Sequence, residues 1–203
     1  MKKLKKVIIF IAVIVLAGSG IYYYLIRPVN NTITKYSAED LNISYQPLTK
    51  NPYSRSGKPL RRVEGIVVHY TANPGASAKN NRDYFENLKS THITYASSHF
   101  VIGIKGEIIQ CLPLNEWSYA SNHRNKDTIS IECCHPSRDG HFTNATYQSL
   151  VKLVQSLINT YHLKVNQVIR HYDVTGKLCP LYFVKNPLEW KKFKGRLKDY
   201  HLF

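Results

Sequence analysis

The chain has 203 residues, room for one ordinary domain and an appendage, which excludes a large multidomain assembly. Apolar residues at 43% and charged residues at 20% exclude a wholly disordered or low-complexity chain. The 28 Lys+Arg against 13 Asp+Glu, a net +15, call for an anionic partner such as nucleic acid, lipid headgroups or a wall polymer, without choosing among them.

Lys2, Lys3, Lys5 and Lys6 precede twenty uncharged residues, 7–26, which Arg27 and Pro28 close. A bilayer span needs about 20 apolar residues, and a basic flank belongs on the cytoplasmic side. Residues 1–27 therefore predict a single membrane span with the rest of the chain outside. A cleaved signal peptide competes, with 7–16 as its apolar region and Ala17-Gly18-Ser19-Gly20 as its cut site; either reading exports the domain. Five of the 28 basic residues and none of the 13 acidic ones lie in 1–27, so the exported part keeps 23 against 13. Residues 28–60 read as a stalk and N-terminal arm, polar and turn-rich without clear periodicity from 30 to 50.

The folded domain is expected over 61–203. Short β-branched runs at 65–70, 99–104, 107–112, 129–133 and 167–170 predict strands, with Lys105-Gly106 as a tight hairpin between the second and third. Helices are predicted over 77–88, 187–200 and, most clearly, 146–161, where Tyr147, Leu150, Val151, Val154, Leu157, Ile158 and Tyr161 fall on one face. The alternation describes an α/β fold, a central mixed β-sheet flanked by helices. Four cysteines, Cys111, Cys133, Cys134 and Cys179, are too unevenly spaced for a disulfide framework. The first three read as buried thiols, an oxidised pair being the alternative outside the cell.

Three potential metal ligands stand at or beyond strand ends, where α/β sheets place ligands: His69 after Ile66-Val67-Val68, His171 after Val168-Ile169-Arg170, and Cys179 a loop later. Two imidazoles and a thiolate leave the fourth position of a tetrahedral zinc site open, as catalytic sites require. Each residue alone is weak evidence, since a strand-end histidine is more often a hydrogen-bonded packing residue and a lone cysteine a small buried hydrophobe. The weight comes from the segment Arg170-His171-Tyr172-Asp173-Val174-Thr175-Gly176-Lys177-Leu178-Cys179-Pro180 together with His69 in Val67-Val68-His69-Tyr70-Thr71.

On those residues, from about 61 to 180, the chain resembles the zinc-dependent N-acetylmuramoyl-L-alanine amidases of the second amidase type, relatives of phage lysins and of the animal peptidoglycan recognition proteins. The resemblance implies zinc ligands at His69, His171 and Cys179, a groove over the zinc, and peptidoglycan as the partner. It implies cleavage between N-acetylmuramic acid and L-alanine, with a non-catalytic peptidoglycan receptor on the same fold as the alternative. One departure stands out: where the animal proteins and some phage members carry a catalytic Tyr before the His-Phe pair, this chain has Ser98 before His99-Phe100.

Amide hydrolysis needs a group to take a proton from the attacking water and pass it toward the leaving amine. Glu132 is the candidate, because alternation in Ile129-Ser130-Ile131-Glu132 turns it away from the apolar side; a solvated strand carboxylate is the competing view. Lys177 can approach the developing oxyanion, or it is an ordinary loop lysine. His99 reads as a packed residue. The loop 117–125, through Trp117, Asn122 and His123, has the aromatic and amide content to grip substrate, and equally suits a surface loop held by its own side chains. Asp173 either orients a ligand histidine or makes a local turn. Export and the absence of a recognition motif argue against a nucleic-acid partner, and a monomer is expected.

Overall fold

The computed structural model describes residues 40–198 except Asn42. The anchoring segment expected at 1–27 lies outside the described residues, and among those described no helix is long and apolar enough to cross a membrane.

Six strands form one sheet: β1 (Ile43–Tyr45), β2 (Gly65–Tyr70), β3 (Phe100–Ile102), β4 (Ile108–Gln110), β5 (Thr128–Cys133) and β6 (Val168–Arg170), in the order β1-β4-β3-β5-β2-β6. All neighbours are parallel except β3 and β4, so the sheet is mixed, as the alternating pattern predicts. The interior strand β2 is buried along Gly65 to His69, which explains its near-continuous apolar run.

Among the described residues five α-helices accompany the sheet: α1 (Ala78–Thr91), α2 (Asn144–Tyr161), α3 (His171–Thr175), α4 (Leu181–Lys185) and α5 (Pro187–Lys198). Helix α2 starts where Thr143 Oγ1 accepts the Thr146 N–H at 3.1 Å, and α1 starts at a reciprocal Ser77–Asn80 capping box. On one side of the sheet Ile66, Val68, Ile129 and Ile131 pack with Leu150, Leu153, Val154 and Leu157 of α2 and with Phe193 and Leu197 of α5. Each such fully buried side chain contributes about 1.5–3 kcal/mol. A smaller cluster on the other side joins Val101, Ile109 and Cys111 to Ala78 and Phe85 of α1.

The second and third predicted strands are shorter than expected, and their connection has three residues rather than two. The Gly106 N–H reaches the Gly103 carbonyl at 3.0 Å and the Gly103 N–H reaches that of Glu107 at 2.7 Å. Gly106 takes φ +86°. This is a turn closed by a glycine bulge, in which the glycine supplies the left-handed residue. Three elements were not expected: β1, α3 and α4. β1 lies inside the segment read as stalk and arm; Leu48 and Leu60 of that segment are also buried. The last two residues of the helix predicted over 187–200 lie outside the described residues.

Candidate active site

The parallel register sets His69 of β2 directly beside Glu132 of β5. Both side chains leave the sheet on the side opposite the large apolar cluster, because Ile66, Val68, Ile129 and Ile131 occupy the other face. β6 ends at Arg170, and His171 opens α3. That short helix is fixed by Asp173, whose carboxylate accepts the Arg170 N–H at 2.8 Å and grips the Arg170 guanidinium at 2.7 and 3.1 Å. Asp173 is thus a helix cap clamped to Arg170, and its carboxylate makes no hydrogen bond to either histidine among the described residues. Gly176, at φ +79°, ends the helix. The chain then folds back until the Tyr172 N–H bonds the Cys179 carbonyl at 2.9 Å, with the Cys179–Pro180 peptide cis.

This return brings Cys179 to the two histidines. His69 Nδ1 and His171 Nδ1 are 3.2 Å apart, and Cys179 Sγ is 3.8 Å from His69 Nδ1. All three donor atoms lie within 4.8 Å of one another. Tetrahedral zinc with ordinary bond lengths separates two nitrogens by about 3.3 Å and nitrogen from sulfur by about 3.6 Å, so the donor set fits that ion. The outer nitrogens are held as well: His69 Nε2 lies 3.1 Å from Ser121 Oγ, and His171 Nε2 lies 3.3 Å from Asn122 Oδ1. Such contacts fix the tautomer and turn Nδ1 toward a metal.

The electrostatics agree. Burial, then the His171 and Lys177 charges, hold His69 well below the ordinary histidine range. Burial and Lys177 lower His171. Both shifts favour the neutral imidazole, the form that binds a metal. Burial, reinforced by Glu132, pushes the Cys179 thiol up to about 12; a bound dication would reverse that and hold the thiolate. Glu132 Oε1 is 4.0 Å from His69 Nδ1. Burial pushes its carboxyl up to about 8, with Lys177 pulling the other way. Glu132 Oε2 and Thr71 Oγ1 are buried without a hydrogen-bond partner among the described residues. Both residues line one cleft of about 450 Å³, together with His69, His171, Cys179 and Lys177.

The structure sorts the other expected residues. Lys177 is exposed at the cleft wall. Asn122 stands at the wall too, but its amide oxygen faces His171. Trp117 is packed against the core with the Lys58 ammonium 5.3 Å from its ring centre, and does not line the cleft. His123 is exposed on a 3-10 turn, also outside the lining. From the same loop, Tyr119 and Asn125 line the cleft instead, alongside Tyr84 and Tyr95. The loop's shape accounts for this: Asn125 Oδ1 accepts the Ala120 and Ser121 N–H groups at 3.1 and 2.6 Å, curling 120–125 so that Ser121 and Asn122 face the histidines. Ser121 was missed altogether; its only signal in the sequence was its place next to Asn122. His99 is packed as expected, with Nδ1 accepting the Ser130 N–H at 3.1 Å and Nε2 donating to the Glu116 carbonyl at 2.9 Å. Ser98 bonds the Phe100 carbonyl. Cys111, Cys133 and Cys134 are buried free thiols.

Fold and site together define a class: an α/β domain with a mixed sheet and an open two-histidine, one-cysteine donor set, able to hold a metal ion, at the carboxyl ends of parallel strands. Residues 59–181 match the Amidase_2 family, N-acetylmuramoyl-L-alanine amidase, and the chain belongs to that family. The N-acetylmuramoyl-L-alanine amidase CwlL of Bacillus licheniformis is 37% identical over 160 residues, 72% of this chain and 44% of that protein. The amidase BlyA of Bacillus subtilis (strain 168) is 35% identical over 176 residues, 76% of this chain and 46% of that protein. The chain thus spans under half the length of these relatives. Among solved structures, a mutant endolysin from Bacillus subtilis superposes with a TM-score of 0.65 at 28% identity, covering 76% of this chain and 97% of that one.

Proposed function

We propose that the protein is an exported zinc hydrolase that cuts the amide bond between the lactyl group of N-acetylmuramic acid and the first L-alanine of peptidoglycan. The observation that carries this reading is the convergence of His69, His171 and Cys179 beside the half-buried Glu132 in one open cleft. His69 Nδ1, His171 Nδ1 and Cys179 Sγ would hold the zinc. When bound, the ion supplies a Lewis acid for the lactyl carbonyl and makes water a better nucleophile near neutral pH.

The chain's own groups do the rest. Glu132 takes the proton from the attacking water and delivers it to the leaving alanine nitrogen; a carboxyl pushed toward neutrality by burial suits both transfers. Lys177 faces the negative charge that gathers on the carbonyl oxygen, a contribution of about 3 kcal/mol for a well-placed donor. Ser121 and Asn122 keep the two imidazoles aimed inward. Tyr84, Tyr95, Tyr119 and Asn125 offer the flat apolar faces and amide needed to seat a sugar-linked peptide. Ser98 leaves no tyrosine at that position, so proton transfer rests on Glu132.

Residues 1–27 serve in this reading as a membrane anchor that leaves the domain outside, supported by four lysines ahead of twenty uncharged residues. If the segment is cleaved, the protein is secreted. The partner is peptidoglycan, with its anionic groups answering the basic domain, and the protein acts as a monomer without nucleic acid. Carbonate extraction of expressing cells tests the anchor: retention in the membrane pellet supports it, and full release removes it.

The function itself is tested by incubating the zinc-loaded protein with purified peptidoglycan beside Glu132→Ala and Cys179→Ser. New amino groups without new reducing sugars, absent with both variants, are expected. Zinc binding and tight muropeptide binding without amine release would instead make the protein a binding-only receptor.

A further inference from the structure

A second cleft adjoins the one over the candidate metal site. Tyr95 and Tyr119 line the first and also line a cleft of about 510 Å³ whose remaining walls include Lys50, Arg55 and Lys58. The tyrosines form a ridge between the two. Tyr95 is 60% exposed, stacks on Tyr53 at 5.2 Å between ring centres and meets Tyr119 at 5.6 Å.

The ridge and the second cleft are held by hydrogen bonds to the backbone. The Ala96 N–H donates to the Tyr53 carbonyl at 3.1 Å, and the Ser97 N–H to that of Tyr119 at 3.1 Å. The turn bearing Lys50 and Arg55 is closed on Asn51, whose Oδ1 accepts the Tyr53 and Ser54 N–H groups at 2.8 and 2.9 Å. The Trp117 N–H fixes the Lys58 carbonyl at 2.8 Å.

The three cations differ in what they already hold. Arg55 is spent on Glu116, at 2.8 and 2.9 Å, and on the Leu48 carbonyl at 2.8 Å. Lys50 and Lys58 have no carboxylate within salt-bridge distance among the described residues. Lys50 lies against Gly57, where an added Cβ would stand 3.4 Å from its Cε and 3.6 Å from its Nζ. Lys58 rests over the Trp117 ring. Two ammonium groups without a carboxylate partner, beside an exposed aromatic ridge, form a receptor for an anion attached to something flat enough to lie on the tyrosines.

We propose that this second cleft is a substrate subsite: it takes a carboxylate or phosphate of the same polymer whose amide lies at the metal centre, the intervening sugar or peptide portion crossing the Tyr95–Tyr119 ridge. The proposal rests on the peptidoglycan reading above and deepens it. The two anion sources, stem-peptide carboxylates and phosphates of attached wall polymers, share one chemistry and are separated by the test.

The test measures binding by calorimetry with the full chain in detergent, wild type against Lys50→Ala/Lys58→Ala and Tyr95→Ala. The ligands are a muropeptide with free stem carboxylates, its amidated counterpart and a polyol-phosphate oligomer. The double lysine variant is expected to weaken a charged ligand about three- to tenfold, the worth of two exposed charge contacts, and to leave the amidated muropeptide unchanged. Whichever charged ligand loses affinity identifies the source. Tyr95→Ala should weaken both muropeptides, and Tyr95→Phe should restore them. Unchanged affinity for every ligand in the lysine variant, or an equal loss for the amidated one, overturns the subsite. Amine release by wild type is read in parallel: charge-selective binding without release sinks the amidase reading and leaves the subsite standing, and release with no charge selectivity does the reverse.

Discussion

Replacing Ser121 by alanine removes the hydroxyl 3.1 Å from His69 Nε2, and replacing Asn122 removes the amide oxygen 3.3 Å from His171 Nε2. With Nδ1 as the metal ligand, each Nε2 carries the proton and donates it to its partner. Loss of such a partner costs about 10- to 100-fold in metal affinity, or roughly 1.4–2.8 kcal/mol at 1.4 kcal/mol per tenfold. The two substitutions should not cost the same. Ser121 and His69 are both buried, so the orphaned N–H finds no water and bears a desolvation penalty of about 1–3 kcal/mol. Ser121→Ala therefore belongs near the 100-fold end. Asn122 is exposed and its contact longer, so water can replace it and Asn122→Ala belongs near tenfold. Zinc titration against a chromophoric chelator reads both numbers, and thermal midpoints of the metal-free variants separate loss of fold from loss of affinity. A reversed order, or Asn122→Ala leaving zinc affinity intact while raising KM for peptidoglycan, would refute the reasoning and return Asn122 to the substrate-gripping role its loop suggested.

Glu132→Gln should lower kcat by about 10²- to 10⁴-fold while zinc stoichiometry stays at the wild-type value; activity above a tenth of wild type would remove Glu132 as the proton carrier. Burial holds His99 down at about 4, against 6.5 for a free histidine. The unfolded chain therefore takes up the proton first, so His99's contribution is complete above about pH 6.5 and is lost as pH falls toward 4. His99→Gln should flatten that decline by up to about 3 kcal/mol, read from urea midpoints at neutral and acid pH; parallel declines in both proteins would count against it. Gly106→Ala places a Cβ 2.9 Å from Ser149 Oγ and 3.0 Å from the Ala145 carbonyl oxygen, at φ +86°. It should cost about 1–3 kcal/mol in urea unfolding, and a neutral result would mean the hairpin and α2 can part without penalty.

What the sequence by itself determined is whatever follows from local periodicity or from a contiguous segment. The β-branched run before His69 predicts a strand. Alternation alone turns Glu132 away from Ile129 and Ile131, and the register of β2 with β5 then sets it beside His69. The segment from Arg170 to Pro180 carries its own cap, its own glycine stop and two of the three potential donors, so most of the candidate donor set was legible before any fold was known. Helix α2 was equally plain, because its apolar face repeats over eighteen residues.

Only the tertiary structure decided what depends on partners distant in the chain. β1 is three residues long and mostly exposed; its strand character comes from pairing with β4, more than sixty positions away, and leaves no alternation to read. In the loop before β5, the aromatic Trp117 and the polar His123 looked as suitable for substrate as their neighbours. The side-chain bonds of Asn125 set the curl that sends Ser121 and Asn122 to the histidines and leaves His123 on the outer surface. Residue type specifies what a loop side chain can do. Which way it faces is settled by the path of the backbone, and that path is fixed by contacts with segments that the local sequence does not contain.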